Sequence, residues 1–261
     1  MAYPYGSDKV GFVILNGFNI TQNVTDLTDA SEAIMEESHT LGDSWVENSP
    51  VGVAKFEVGL NGFWDDTDNM SNEALGGSSG STGGNIGSTA VLTWTPQPNT
   101  VGNPFKGGRI VEKNFSRITG RGALTKFSGT LVGTGIAEDG VILKAYGAST
   151  GSTGNTHASA VDGTSSSTKG GTGYYQLSTL TMTAASTSFT TIIRHSVDST
   201  TWVDLITFTP STVSAQSGER KETAASTTPV QRYLASAWTY ASTVADSTNT
   251  ATFMLGFVRN R

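Results

Sequence analysis

Three observations predict an all-β protein. Glycine accounts for 31 of the 261 residues, and serine and threonine are abundant, a composition that favours turns and strands. Charged residues, which include several of the best helix formers, make up only 15% of the chain. Short apolar segments recur at regular intervals between turn-forming residues, as is typical of β-sandwiches.

The clearest strand lies within residues 52–63, where apolar and polar residues alternate with a period of two: Ala54, Phe56, Val58 and Leu60 against Lys55, Glu57 and Gly59. This alternation places one row in a core and the other on a surface. A turn is predicted at Asn61-Gly62. The preceding loop is rich in turn formers, and we expect it to reach outward to a partner.

Residues 10–21 predict a hairpin around Asn16-Gly17, a pair suited to a type I′ turn; a buried strand running into a loop is the alternative. Residues 28–40 carry both a capping-box pattern, Asp29 with Glu32, and an extended pattern. Helix and strand therefore both stay open for this segment.

An acidic cluster, Asp65, Asp66 and Asp68, follows the central strand. It predicts a short helix over 67–75, because carboxylates are favourable at a helix N-terminus. A calcium loop is disfavoured, since the central glycine and the distal bidentate glutamate are missing. Residues 76–89 form a flexible glycine-rich loop without the Gly-Lys-Ser/Thr of a phosphate-binding loop.

Two sets of further strands are predicted, separated by a Ser/Thr/Gly-rich linker at 148–173. The first set covers 90–95, 109–119, 123–132 and 140–146, with the middle two joined at Gly120-Arg121-Gly122. In that hairpin, Val111, Lys113, Phe115 and Arg117 are expected to share one face. The second set covers 174–182, 187–194, 201–208, 230–240 and 250–258. The predicted domains are therefore 1–147 and 174–261, and a chain ending at residue 147 is expected to fold.

Charge and composition exclude several function classes. The net charge is −6 and there is no basic stripe, so tight binding to a phosphate backbone is not expected. The absence of cysteine excludes disulfides and thiolate metal sites. No basic-then-apolar leader and no apolar run of about 18 residues is present. We expect a protein made and folded in a cytoplasm, without a membrane partner.

No catalytic constellation is found. Ser196 and Asp198 adjoin His195, but neighbours on one strand and turn cannot adopt the geometry of a triad. The acidic pairs Glu36-Glu37 and Asp65-Asp66 are adjacent in sequence, and adjacent strand residues face opposite ways. The sequence therefore predicts no enzyme activity, no metal site and no cofactor.

The aromatic residues allow two interpretations of their role. Most of the five tryptophans are expected to fill cores, but Trp45 lies in a polar loop, where a large apolar group suggests a protein contact. The alternative is a sugar-stacking platform on a host-facing surface, for which the candidates are Tyr174, Trp202 and Trp238.

The order of these features resembles that of the major tail-tube proteins of long-tailed bacteriophages. The resemblance rests on NGFNI, a Glu-rich segment, HTLGDSW and then VGVAKFEVGLNGFWDD, within residues 8–146. Its motif positions are Thr40, Gly42, Asp43 and Ser44, followed by Gly62, Phe63, Asp65 and Asp66. Residues 174–261 look like the sandwich modules attached to many tail proteins, and the long Ser/Thr/Gly stretch departs from minimal tube proteins.

The resemblance implies a tail-tube-like β-sandwich or partial barrel with one short helix, followed by a second β-sandwich domain. It implies hexameric rings that stack into a tube in the virion tail, assembled in the host cytoplasm. DNA would pass through the lumen without specific binding, and other tail proteins would be partners. The ring-stacking loop would comprise Thr40, Leu41, Gly42, Asp43, Ser44, Trp45, Val46 and Glu47. The candidate lumen-lining residues are Lys55, Glu57, Glu112, Asn114 and Ser116.

Two other functions stay open from the sequence. A capsid decoration or head-fibre protein would share the acidic, cysteine-free and β-rich composition but would bind a shell instead of stacking on itself. A carbohydrate-binding module would require coplanar, exposed aromatic side chains.

Overall fold

The all-β prediction is confirmed by the computed structural model, which describes residues 11–32, 35–38, 47–50, 55–67, 70–76, 87–151, 153–183, 186–212, 216–242 and 248–260. Within these ranges, strands dominate and the helical content is confined to short turns. One is a π-helical turn at Asn72–Gly76, and another is a 3₁₀ turn at His157–Ser159.

The strands are numbered in chain order. They are β1 (Phe12–Leu15), β2 (Phe18–Asn19), β3 (Val24–Glu32), β4 (Met35–Ser38), β5 (Glu47–Pro50), β6 (Lys55–Phe63), β7 (Thr89–Thr95), β8 (Pro104–Ile118), β9 (Lys126–Gly133), β10 (Glu138–Thr150), β11 (Thr153–Asn155), β12 (Val161–Asp162), β13 (Gly171–Thr181), β14 (Ser186–Ser196), β15 (Val203–Thr207), β16 (Ser217–Glu222), β17 (Tyr233–Ser242) and β18 (Thr250–Arg259).

The chain forms two compact units, which we describe separately. The first unit gathers residues 1–22, 90–107 and 138–261, and the second gathers residues 23–89 and 108–137. Strand β8 begins in the first unit and ends in the second.

The first unit contains two sheets. In one, the strands follow the order β16-β13-β18-β10-β8-β7-β1-β2, and in the other the order β11-β17-β14-β15, with β12 also paired to β17. The predicted hairpin at 10–21 is confirmed, because Leu15 pairs with Phe18. Asn16 and Gly17 adopt the positive φ angles of 49° and 89° that the turn requires.

The main core of the first unit lies between these two sheets. Tyr175 and Leu177 of β13 and Phe253 of β18 belong to one buried cluster with Phe189 of β14 and Leu234 of β17. The ring of Phe253 meets those of Phe189 and Tyr175 edge-on, at 5.2 and 6.4 Å between centroids. Such inter-sheet burial is the packing of a β-sandwich.

A second core cluster in this unit draws on residues far apart in sequence. It joins Phe12, Ile14, Val91, Phe105 and Ile142 to Tyr174, Met254 and Val258. The contacts therefore group residues differently from the sequence-based division at 147 and 173.

The segment 148–173, expected as a linker, contains paired structure. It includes β11, β12 and the 3₁₀ turn, and Gly154 of β11 pairs with Trp238 of β17. A side chain at position 154 would collide with the indole ring of Trp238. A small residue is therefore required at position 154 for this strand pairing, although the composition of segment 148–173 resembles that of a linker.

A partly buried polar network also connects separate segments of the first unit. The guanidinium of Arg220 on β16 donates to both carboxylate oxygens of Glu138 on β10, at 3.1 and 2.7 Å. The hydroxyl of Tyr174 donates to the same carboxylate. Charge-assisted, bidentate contacts of this kind fix the geometry of partly buried ion pairs. Strand β16, which supplies Arg220, is not predicted from the sequence.

Several local expectations are settled in the second unit. Within 28–40, the described residues are extended, in β3 and β4, and not helical. The predicted turn at Asn61-Gly62 is wrong, because β6 continues through both residues, which pair with Ser128 and Phe127. Gly62 is instead needed for a close approach, since a Cβ there would meet the carbonyl of Asn23. In place of the helix predicted at 67–75, the structure has a shorter π-helical turn at Asn72–Gly76.

Truncation at residue 147 tests whether the sequence-based domain boundary marks independent folding. The shortened chain would expose Phe12, Ile14 and Phe105, which pack with Tyr174 and Met254 in the full chain. We expect it to be insoluble or to lack a cooperative thermal transition in circular dichroism. A soluble fragment with a sharp transition would instead support the predicted boundary.

Candidate assembly interface

The second unit is built on a four-stranded antiparallel sheet in the order β3-β6-β9-β8. Val58 in the centre of β6 pairs with Asp29 of β3 and with Leu131 of β9. Leu131 in turn pairs with Glu112 of β8. These registers allow residues on each face of the sheet to be assigned, because directly paired residues point the same way.

One face of this sheet is apolar and buried, which confirms the alternation predicted for the central strand. Phe56, Val58 and Leu60 of β6 are each at most 1% exposed, and Leu131 of β9 is fully buried. Gly108 and Gly133 lie against the ring of Phe56, where a side chain on either would collide with it. These glycines make room for the largest side chain on this face.

Trp64 follows β6 and packs at the end of the sheet. Its ring lies 5.4 Å from that of Phe115, and the guanidinium of Arg117 lies 5.0 Å from the indole centroid. Gly76 of the π-helical turn abuts the same indole. The half-buried Trp64 thus connects the turn to β8 through aromatic and cation–π contacts.

The opposite face of the sheet carries short and polar side chains. One row across the four strands consists of Thr28, Gly59, Thr130 and Asn114. The neighbouring row consists of Asp26, Asn61, Ser128 and Ser116. We name these two rows the polar face. Its outer-strand members Asp26, Thr28, Asn114 and Ser116 are exposed.

A β-bulge at Lys113 divides the candidate lumen residues between the two faces. Glu112 pairs with Leu131 and Asn114 pairs with Thr130, so Lys113 is the extra residue. The bulge places Asn114 and Ser116 on the polar face, whereas Glu112 points to the apolar side. Glu112 therefore does not share a face with Asn114 and Ser116, the other candidate lumen-lining residues of β8.

The same bulge corrects the predicted face of β8. Phe115 and Arg117 contact Trp64 on the apolar side. Lys113 instead forms an ion pair with Glu57, at 3.4 Å between Nζ and Oε1. Glu57 pairs with Val132, in the row beyond Thr130, so it shares the side of the polar face. Lys55 begins β6, and its side chain lies outside the described part of the structure.

Glu112 is a buried carboxylate without compensation. It is 2% exposed, and neither of its carboxylate oxygens has a hydrogen-bond partner among the described residues. Burial raises the pKa of this carboxyl to about 7 from its ordinary 4.5. The group is therefore poised to change its protonation state near neutral pH.

Strand β3 and the last residues of β8 are the outermost segments of this sheet, whereas the beginning of β8 also pairs with β10. Among the described residues, β3 pairs with β6, and the last residues of β8, from Asn114 to Ile118, pair with β9. Unpaired strand edges present rows of backbone donors and acceptors to other chains. Strands β3 and β8 therefore define the candidate assembly interface.

The predicted ring-stacking loop lies almost entirely outside the described residues. Residues 40–46 are not among the described residues. Glu47 is the first residue of β5 and pairs with Ser38, the last residue of β4. The two strands form a separate two-stranded ribbon.

The candidate host-surface aromatics are not brought together as a platform. Tyr174 is fully buried, contrary to the exposure that a sugar site requires, because its ring packs on Phe105 in the core. Trp238 is half-buried and its ring meets Phe253 edge-on at 5.4 Å. Trp202 is half-buried and stacks on His157, with ring centroids 4.5 Å apart.

The serine, histidine and aspartate near 196 do not form a catalytic arrangement. The Ser196 hydroxyl donates to Asp198 at 2.9 Å, and the His195 Nδ1 accepts from the backbone of Gln231. Asp198 also accepts from the backbone N–H groups of Thr200 and Thr201, which shapes the β14–β15 turn. Within the described ranges, no group of three or more His, Asp or Glu side chains has the geometry to hold a metal. No helix in those ranges has the length and hydropathy needed to cross a membrane.

Comparisons with known proteins find similarity in structure but not in sequence. No protein-family model matches the chain, and no curated protein sequence matches it. A chain from the virion of a native gene transfer agent particle is similar at a TM-score of 0.37 and 11% identity, covering 52% of this chain and 98% of that one.

Two further solved structures are similar. A chain from the tail of an empty gene transfer agent particle with C6 symmetry gives a TM-score of 0.36 at 11% identity, covering 52% of this chain and 97% of that one. The SPP1 Dit protein, described as a paradigm of the hub adsorption apparatus of phages infecting Gram-positive bacteria, gives 0.33 at 9% identity, covering 95% and 99%. At these identities and TM-scores, the similarities do not assign a function.

Replacing Glu112 by Gln is expected to change how stability depends on pH. The folded state holds the proton on Glu112 up to about pH 7, whereas the unfolded state releases it near 4.5. The free energy of unfolding should therefore fall as pH rises from 4.5 to 7 and stay low above it. Glu112→Gln should remove this fall and stabilise the protein by up to about 3 kcal/mol near pH 8.

Urea unfolding at several pH values measures this effect. Glu57→Gln, on the opposite face of the sheet, is the matched control because it leaves Glu112 ionisable. An unchanged pH dependence in Glu112→Gln would contradict the assignment of Glu112 as the buried titrating group.

Proposed function

We propose that the protein is a structural virion component that self-assembles into stacked hexameric rings, forming the phage tail tube through which DNA is ejected. The proposal combines the tail-tube resemblance with one structural observation. That observation is the four-stranded sheet of the second unit, which has one buried face and one polar face, with β3 and the end of β8 as its outermost segments.

The directions of the edge strands suit ring closure. Four antiparallel strands make the outer two, β3 and β8, run in opposite directions. When a second copy is placed beside the first by rotation, β8 of one copy meets β3 of the next in antiparallel orientation. The same operation keeps the buried faces on one side, and its repetition closes a ring.

The polar face is the surface we assign to the lumen. Its rows contain short side chains such as Thr28, Ser116 and Ser128, with no row of positive charges. Six copies of a chain with net charge −6 carry −36. A negatively charged, unobstructed channel does not grip phosphates, so DNA can pass without specific binding.

Stacking of the rings is assigned to residues 40–47, with Trp45 as the apolar anchor. We locate the assembled protein in the virion tail, with other tail proteins as partners and assembly in the host cytoplasm. A capsid decoration role is the alternative, but it would not need edge strands of opposite direction.

Cross-linking between introduced cysteines tests the ring geometry, and the cysteine-free chain provides a clean background. Thr28→Cys lies on β3 and Ser116→Cys on β8. Within one chain these positions are separated by three strand spacings of about 4.8 Å each. A bis-maleimide shorter than this separation should therefore join different copies, giving a ladder that ends at a closed hexamer.

The matched control combines Thr28→Cys with Thr201→Cys, an exposed position in the first unit. This pair and the two single-cysteine chains should give no ladder beyond a dimer. A Thr28/Ser116 pattern identical to these controls would contradict the proposed edge-to-edge ring.

Replacement of Trp45 by Ala tests the stacking role separately. Truncating an apolar anchor typically costs more than 1 kcal/mol of binding energy. We expect shorter tubes or single rings in negative-stain images, with the circular dichroism spectrum unchanged. Loss of the fold would show that Trp45 belongs to the core of its own chain.

A further inference from the structure

Exposed apolar side chains cluster at one end of the second unit's sheet. Six large hydrophobic residues are exposed in the described part of the chain, and three of them lie here: Phe63 at 39%, Ile118 at 65% and Leu124 at 72%. Phe63 of β6 and Ile118 of β8 both pair with Lys126 of β9. Phe63, Lys126 and Ile118 therefore form a row on the same side of the sheet as the polar face, next to the row of Asn61, Ser128 and Ser116.

Two exposed basic residues adjoin these apolar groups. Lys126 lies between Phe63 and Ile118, and Arg121 lies in the β8–β9 turn, three residues before Leu124. We name the set Phe63, Ile118, Arg121, Leu124 and Lys126 the hairpin patch. The turn is ordered by a hydrogen bond from Ala123 N–H to Gly120 O at 3.1 Å and by a positive φ of 75° at Gly122.

This combination of features is unusual for a solvated surface. Single exposed hydrophobic residues are common, but several that lie close together mark a protein contact. The three apolar side chains are exposed, and Arg121 and Lys126 beside them favour a partner that carries acidic groups.

The same sequence contains a segment with the complementary chemistry. Residues 36–47, EESHTLGDSWVE, contain Glu36, Glu37, Asp43 and Glu47 but neither lysine nor arginine. The apolar residues Leu41, Trp45 and Val46 are interspersed among them. The segment thus offers apolar anchors among acidic residues, whereas the hairpin patch offers apolar surface beside the basic residues Arg121 and Lys126.

We propose that the hairpin patch of one copy receives residues 36–47 of a copy in the adjacent ring. This inference rests on the proposed tube function and names the surface on which its stacking segment docks. The apolar groups supply affinity at the centre of the contact, and the opposite charges supply orientation and association rate. Because these charges are exposed, stacking should weaken as salt rises.

Charge reversal on both sides of the contact tests this pairing. Arg121→Glu with Lys126→Glu should leave rings intact but reduce their stacking into tubes at least tenfold, as scored by negative-stain images and sedimentation. Asp43→Lys with Glu47→Lys should have the same effect. Combining all four substitutions restores opposite charges and should restore tubes.

The matched control is Lys169→Glu with Lys221→Glu, which makes the same charge change at exposed positions in the first unit. It should stack like the unmodified chain. Normal tubes from the Arg121/Lys126 variant, or no rescue by the four-fold variant, would overturn the pairing while leaving the tube function standing. The absence of rings from the unmodified chain would instead contradict the proposed function itself.

A lipid surface is the other partner that an apolar and basic patch could bind. Sedimentation with vesicles containing anionic lipid distinguishes the two partners. Vesicle binding that Arg121→Glu with Lys126→Glu abolishes, without a change in tube formation, would overturn the pairing between copies.

Discussion

The register of the four-stranded sheet determines where every proposed contact of this protein lies. A slip of one residue would move Phe56, Val58 and Leu60 from the buried face to the surface, so burial fixes the pairing strongly. That pairing in turn places Thr28 and Ser116 on the polar face. It also leaves β3 and the end of β8 as the outer strands.

The bulge at Lys113 has consequences for both faces of the sheet. It turns Glu112 toward the apolar side, where no hydrogen-bond partner compensates the carboxylate among the described residues. An uncompensated buried carboxylate destabilises the folded state whenever it is ionised. The sheet is therefore expected to be most stable when Glu112 keeps its proton, and its stability is coupled to pH.

Much of this fold is predictable from the sequence, and the failures have physical causes. The alternation of Phe56, Val58 and Leu60 identified the central strand, and Asn16-Gly17 identified the first hairpin, because both signals are local. Asn61-Gly62 was misleading, since Gly62 serves a close approach to Asn23 and not a turn. The bulge could not be predicted, because nothing in Glu112-Lys113-Asn114 distinguishes an extra residue from regular alternation.

Pairing between residues distant in sequence accounts for two further features of the first unit. Gly154 belongs to a Ser/Thr/Gly-rich stretch, yet it pairs with Trp238 from a strand that lies more than eighty residues later. Arg220 reaches Glu138 across a similar separation. Composition alone indicates a linker at 148–173, because the partner that supplies the apolar surface is distant in sequence.

The most direct test of the assembly account is electron microscopy of the purified full-length chain across a range of concentrations and salt. The account predicts six-fold rings with a central channel that stack into tubes at low salt. A chain that stays monomeric under every condition, with its fold intact, would contradict the claim that β3 and β8 join neighbouring copies.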